Sequence, residues 1–199
     1  GRVSLKEWNA AWENRKRGIG IHKTLARIKS TGAECDYISV DVTSESEVEE
    51  MVSEVIQRYG KITGLIHGAG IEDSTPFESK SEEVVNRVLD VKVCGFRNLQ
   101  KYISKMKQSL NLACSFTSVA GRLGNATQLD YCAANRILDA EHSRIRNGET
   151  ASFSIAWAPW SGTGMATKGS LETVFARSGV DMIPLDVGAS MFVQEVMGS

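Results

Sequence analysis

The sequence predicts an α/β protein built on a doubly wound parallel sheet. Three observations carry the prediction. Short apolar runs alternate along the chain with longer amphipathic stretches, which is the sequence form of strands joined by helices. The runs are apolar throughout, as strands buried on both faces require. The stretches between them repeat apolar residues at three- and four-residue spacing, the period of a helix with one buried face.

The elements follow in order. The run 37–40 is β-prone and ends at Asp41. Leu65 and Ile66, flanked by glycines, form a second short strand, residues 112–116 a third and residues 153–157 a fourth. The first helix spans 44–59: Ser44 followed by Glu47 is a capping-box signature, and Val48, Met51, Val52, Val55 and Ile56 fall at helical spacing. A long helical pattern over 82–107 carries Val84, Val85, Val88, Leu89, Val91 and Val93 as its apolar stripe. Further helices are predicted over 129–146 and 186–197. No internal repeat or low-complexity linker interrupts the pattern, so residues 1–199 read as one domain. A sheet of these four runs alone would leave a strand edge open at its centre, which is costly. The expectation is that an N-terminal strand, its glycine-rich loop and a last strand lie outside these residues.

Composition narrows the function classes. The 199 residues are 42% hydrophobic and 24% charged, with a formal net charge of -1, an ordinary globular balance. A near-neutral chain lacks the basic field that nucleic-acid binding needs. The run Asn14-Arg15-Lys16-Arg17 is short and reads as a solvated helix end. No apolar run approaches a membrane span, and the N-terminus has no signal-peptide pattern. Cys35, Cys94, Cys114 and Cys132 show no C-x-x-C spacing and read as reduced thiols of a cytoplasmic protein. His22, His67 and His142 are scattered, which gives a metal site no support.

The densest chemical signal is Phe116-Thr117-Ser118-Val119-Ala120-Gly121 followed by Tyr131-Cys132-Ala133-Ala134-Asn135. Ser118 ends a predicted strand. Tyr131 follows 13 residues later, and Tyr131 and Asn135 share one helix face. Reduction of a carbonyl needs a donor that protonates the developing alkoxide as hydride reaches carbon. A tyrosine hydroxyl serves if a nearby cation lowers its pKa, and a second hydroxyl, Ser118, stabilises the charge on the same oxygen.

These residues resemble the short-chain dehydrogenases, which pair a strand-end serine with a tyrosine 13 residues on. Those enzymes usually have lysine four residues after the tyrosine. Here that place holds Asn135, and lysine stands instead at Lys92, in Val91-Lys92-Val93-Cys94-Gly95. The exchange resembles the ketoreductase domains of polyketide and polyunsaturated fatty-acid synthases. The resemblance implies a Rossmann-like sheet and NADPH-dependent reduction of a 3-ketoacyl thioester, carried on an acyl carrier protein among other synthase domains. It implies Tyr131 as proton donor, Ser118 as carbonyl-orienting group, Lys92 as tuning cation and Asn135 as support for the proton relay.

The remaining implied residues fall in the family's order. Asp41-Val42 resembles the pair that contacts adenine. His67-Gly68-Ala69-Gly70 resembles the turn beside the nicotinamide ribose, with the His67 backbone mattering more than its ring. Arg2 stands where a guanidinium would fork onto the 2′-phosphate of NADPH. The stretch 124–131 resembles the loop into the tyrosine. Trp157-Ala158-Pro159-Trp160 and Gly164-Met165-Ala166 resemble the substrate lid, which makes Trp160 and Met165 candidate substrate contacts; Trp157 and Trp160 equally suit core packing. Ile71-Glu72-Asp73 stands where a family motif ending in Asp73 goes with one face of substrate entry, and Leu123 stands where the opposite type has tryptophan. Together they imply a 3R hydroxyl product. Three departures stand out. Gly18-Ile19-Gly20 follows a charged stretch rather than a strand, so it is no dinucleotide fingerprint. Thr127 and Ala158 occupy places where the family often has glycine. The segment between Arg2 and Gly32 fits the family poorly. Two alternatives stay open: a free-standing short-chain dehydrogenase and a non-catalytic scaffold.

Overall fold

The helices that begin at Glu45 and Glu82 start where the sequence supplies a serine cap, Ser44 and Ser81. The computed structural model describes residues 4–145, 150–162, 177 and 179–198. It divides into two units, Gly1–Ser39 and Val40–Ser199.

The first unit holds one long helix, α1 (Leu5–Ser30). Gly18 and Gly20 fall inside it, so the G-x-G there is helical and makes no phosphate-binding turn. Arg27 and Lys29 lie in its last turn, where cations complement the helix dipole. The end is closed by Gly32, whose N–H donates to the Lys29 carbonyl (3.0 Å) at φ +83°, a left-handed position that glycine occupies without a Cβ penalty.

The second unit is built on a three-stranded parallel sheet of order β1-β2-β3. The strands are β1 (Gly64–His67), β2 (Leu112–Ser118) and β3 (Ala151–Trp157). Around them lie α2 (Glu45–Tyr59), α3 (Glu82–Leu89), α4 (Gly95–Lys105), the short α5 (Ala120–Leu123), α6 (Leu129–Ile145) and α7 (Leu185–Gly198). Register places His67 beside Ser115 and Ser118 beside Trp157, so β2 runs past the end of β1. The predicted strand at 37–40 forms no ladder among the described residues. An extended run becomes a strand only through inter-strand hydrogen bonds, and this run makes none of a ladder's among the described residues.

Local sequence explains the caps. The Ser44 hydroxyl accepts from the Glu47 N–H (3.4 Å), and the Glu47 carboxylate accepts from the Asp41 N–H (3.0 Å). The reciprocal arm of the capping box thus reaches three residues further back than the usual pattern. Ser81 caps α3 through the Val84 N–H (3.3 Å). The main core joins Val48 and Val52 of α2, Leu65 of β1, Phe96, Tyr102 and Ile103 of α4, and Leu138 of α6.

The long helix predicted over 82–107 is interrupted. Between α3 and α4 the residues Asp90–Cys94 form one π-helical turn, with the Gly95 N–H donating to the Asp90 carbonyl. Its causes are tertiary. The His67 ring bonds the Lys92 carbonyl through Nε2 (2.9 Å), holding that carbonyl from outside the helix. A Cβ at Gly95 would meet Val42 Cγ2 at 2.7 Å, so only glycine lets the turn come this close. Single π-turns inside α-helices occur frequently at functional sites.

Candidate active site

The C-terminal ends of the strands gather the predicted chemistry, the edge where parallel α/β sheets hold their ligands. The chain leaves β1 through His67-Gly68-Ala69-Gly70, and β2 ends on Ser118. The π-turn delivers Lys92 into this corner. Its side chain is buried, and Nζ donates to the Phe116 carbonyl (2.9 Å) and toward the Ala69 carbonyl (3.5 Å). A Cβ at Gly70 would lie 3.2 Å from that nitrogen, so the bare glycine leaves room for the ammonium. Burial pulls the Lys92 amine down to about 8, opposed by the charge of Asp139.

Tyr131 lies in the first turn of α6. Burial pushes its phenol up from the ordinary value, while hydrogen bonding to Ser118 and Asn135 pulls it back down. Asn135 is fully buried one turn later and donates from Nδ2 to the Tyr131 carbonyl (2.7 Å). Its Oδ1 has no partner among the described residues. Gly121 explains how α5 fits over this turn: a Cβ there would lie 2.8 Å from Asn135 Cβ. The arrangement holds a phenol beside a hydroxyl, as protonation of a developing alkoxide needs; the phenol is raised rather than lowered, and its shift comes from burial and its near neighbours rather than from Lys92, which lies against the Phe116 carbonyl.

Residues 13–162 of this chain match the family described as the KR domain. The chain belongs to that family. The KR domain is 32% identical over 180 residues to one of the polyunsaturated fatty acid synthase subunits of Thraustochytrium sp., covering 90% of this chain and 6% of that protein. It thus spans a small fraction of this relative's length. It matches the crystal structure of a ketoreductase domain from the bacillaene assembly line with a TM-score of 0.78 and 28% identity, over 100% of this chain and 45% of the other. It also matches a structure of NAD⁺-bound xylitol dehydrogenase with a TM-score of 0.60 at 22% identity, over 68% of this chain and 55% of that one, a likeness of fold alone. The KR domain therefore has the Rossmann-like fold of the ketoreductase domains, which the dehydrogenase structure shares.

The other residues singled out from the sequence divide. Asp41 accepts from the Thr43 N–H (2.9 Å) and hydroxyl (2.8 Å), which hold its carboxyl below the usual range. Val42 packs beneath Gly95. The His67 ring is core: it lies 2% exposed against Phe96, and burial drops it to about 4. Gly68 rests near Phe116, and the Ala69 carbonyl faces Lys92. The Asp73 carboxylate accepts from the Thr75 hydroxyl, and its carbonyl accepts from Lys80 (2.6 Å). Leu123 lies 84% exposed at the end of α5. Trp160 stacks edge-on against Trp157, centroids 4.8 Å apart, and packs where a Cβ at Gly188 would collide with its ring at 2.5 Å. Arg2 and Met165 lie outside the described residues.

Sequence reasoning missed two ties beside the tetrad. Lys80 and Asp130 form a buried ion pair (2.6 Å) directly before Tyr131. Gln128 donates from Nε2 to the Glu72 carboxylate (2.8 Å). The available signal was Asp130 itself, an acid set against the tyrosine in the chain. A separate concavity of about 420 Å³ is lined by Arg122, Arg136, Asp139, His142 and Ser154 among others, and by no tetrad residue. The chemistry assigned to the tetrad makes no use of it. No helix among the described residues is long and apolar enough to cross a membrane.

Proposed function

We propose that this KR domain reduces a 3-ketoacyl thioester, presented by an acyl carrier protein, to the 3-hydroxyacyl thioester with NADPH. One observation carries the reading: Ser118, Tyr131, Lys92 and Asn135, scattered over 44 positions of the sequence, are gathered at the ends of β1 and β2. The Gly68-Ala69-Gly70 turn adds backbone with no side chain larger than a methyl beside a buried ammonium. That fits a group with a flat ring and ribose hydroxyls.

A bound nicotinamide would supply hydride to the carbonyl carbon. Tyr131 then gives its phenolic proton to the carbonyl oxygen, and the Ser118 hydroxyl donates to that same oxygen as its charge grows. Lys92 favours the tyrosinate left behind by placing a cation in a low-dielectric corner. Two of its three N–H groups serve the carbonyls of Phe116 and Ala69, and we assign the third to a ribose hydroxyl. Asn135 fixes the first turn of α6 through the Tyr131 carbonyl, and we assign its unpartnered Oδ1 to the relay. Asp41, Val42 and the 67–70 turn would hold the rest of the cofactor, and Arg2 would carry the preference for the 2′-phosphate. Asp73, Leu123, Trp160 and Met165 line the substrate path. The two units act as one reductase domain among other synthase domains, in the cytoplasm; Cys35, Cys94, Cys114 and Cys132 are all free thiols.

The test is NADPH oxidation by the full-length polypeptide with a short 3-ketoacyl thioester, followed by chiral analysis of the product. Turnover giving the 3R alcohol is expected. Turnover no faster than in Tyr131→Phe sinks the assignment, and a 3S product sinks the entry geometry read from Glu72, Asp73 and Leu123.

A further inference from the structure

We propose that Lys80 is a positioning residue: its ion pair with Asp130 sets how the chain enters α6 and therefore where the Tyr131 hydroxyl stands. The inference rests on the reading of Tyr131 as proton donor. Lys80 follows the 3₁₀ turn Phe77–Ser79, and Asp130 immediately precedes Tyr131. The two side chains are each 1% exposed, so neither works as a surface charge.

Every donor of the ammonium is committed to one of two loops. Nζ bonds Asp130 Oδ1 (2.6 Å), the Asp73 carbonyl (2.6 Å) and the Thr127 carbonyl (3.3 Å). Asp130 Oδ1 also accepts from the Tyr131 N–H (2.9 Å). The other carboxylate oxygen, Oδ2, is buried without a partner among the described residues. A buried ion pair is a weak device for stability, because desolvation of both charges offsets their attraction. An arrangement that leaves one carboxylate oxygen unpaired is weaker still. It does fix register, since the ammonium satisfies two carbonyls and a carboxylate only when both loops are in one place.

Thr127 supplies the second observation. Its φ of +66° lies in the left-handed region, a genuine outlier for a β-branched residue. Such strain persists only where surrounding structure over-determines it. Here the Thr127 carbonyl is held by Lys80, and on the outer side Gln128 bonds Glu72 (2.8 Å) while Asn125 bonds Gln128 (2.7 Å). The turn into the tyrosine helix is thus pinned from inside by Lys80 and from outside by Glu72. Lys80 reaches no reacting atom. It acts through Asp130 and Thr127.

The experiment uses the full-length polypeptide with Lys80→Met, Asp130→Asn, Lys80→Met/Thr127→Gly and, should the singles fail to fold, the apolar pair Lys80→Met/Asp130→Leu. Hydrogen–deuterium exchange is followed for peptides covering 125–133, with β2 and α4 peptides as internal references. In Lys80→Met the 125–133 segment should exchange at least ~10-fold faster while the references hold. Its kcat should fall by ~10- to 100-fold, the scale of a sub-ångström to 1 Å misplacement, with KM for NADPH within about twofold. Thr127→Gly in that background should return exchange toward the wild-type rate, because glycine adopts the turn unaided. Wild-type exchange over 125–133 in Lys80→Met or in the apolar pair overturns the proposal, whether or not the protein turns over. Faster exchange with unchanged kcat overturns the link to Tyr131, and no recovery with Thr127→Gly overturns the link through the strained turn. A wild-type protein without reductase turnover would refute the functional reading separately, leaving the exchange result to decide the role of the pair.

Discussion

Mild acid should unfold this protein through two buried imidazoles. His67 and His142 flank the Phe96 ring at centroid distances of 5.5 and 4.8 Å and are 2% and 3% exposed. His142 bonds Ser152 Oγ through Nδ1 (2.9 Å) and Ser115 Oγ through Nε2 (2.7 Å). Burial pushes both rings down from 6.5 to about 4. Between pH 6.5 and 4 the unfolded chain therefore binds protons that the native state refuses. Stability rises with pH through that window and is lost on acidification. From pH 7 to pH 5 each ring costs about 2 kcal/mol, so the pair costs about 4 kcal/mol, a large part of a typical domain's total stability. The shifted carboxyls of Asp41 and Glu45 are lowered from 3.8 and 4.5, so what they contribute is retained above those values and changes little between pH 7 and 5. Urea unfolding at pH 7, 6 and 5 measures the loss; with a slope near ~2 kcal/mol/M the midpoint should drop by about 2 M. His142→Gln keeps a donor and an acceptor for the two serines but cannot titrate, so it should halve the pH dependence. Stability flat from pH 7 to 5, or an unchanged dependence in His142→Gln, would refute the assignment of the buried neutral rings.

Other outcomes follow from the site. Tyr131→Phe should lower kcat by about 10²–10⁴-fold while fluorescence titration shows NADPH binding retained. As pH rises through about 8, Lys92 loses its proton and with it the cation that favours the tyrosinate, so kcat/KM for reduction should fall above that pH; in Lys92→Arg the remaining activity should keep no such break, because a guanidinium stays charged. Gly121→Ala places a Cβ 2.8 Å from Asn135 Cβ and 3.2 Å from the Arg136 nitrogen, and it should cost about 1–3 kcal/mol by overpacking and reduce kcat as α5 and α6 part. Gly188→Ala collides with the Trp160 ring and should lower Tm and, through the displaced ring, raise KM for the thioester more than it lowers kcat, which a comparison of the two variants by melting and steady-state kinetics will separate.

What the sequence made legible was whatever depends on local pattern. The runs at 65–66, 112–116 and 153–157 are apolar enough to declare a buried sheet, and Ser118, Tyr131 and Asn135 are tied by spacing along one strand and one helix. The run at 37–40 looks the same, yet pairing is a property of neighbours rather than of the run. Of helix α1 only the basic run 14–17 reads as helical from the sequence, and as a helix end where it lies mid-helix, because the charges and apolar residues of α1 share no single stripe. The π-turn rests on a bond from His67 to a carbonyl 25 residues away, and no helical period announces it. Lys80 and Asp130 stand 50 residues apart, and each alone reads as a solvated charge. Thr127 was partly readable: the place expected of glycine has a positive φ, and threonine fills it under constraint.

The π-turn has a consequence for how this domain encodes Lys92. One extra residue in a helix shifts everything beyond it by about 100° of azimuth. Shortening the segment Asp90–Cys94 by one residue would leave α3 and α4 as sound helices while rotating one against the other. Either Phe96 would leave the core or Lys92 would swing away from the Phe116 carbonyl. The placement of the lysine is therefore written in the number of residues between Leu89 and Gly95 as much as in their identities, and a one-residue deletion there would displace the proposed tuning cation with its side chain unchanged.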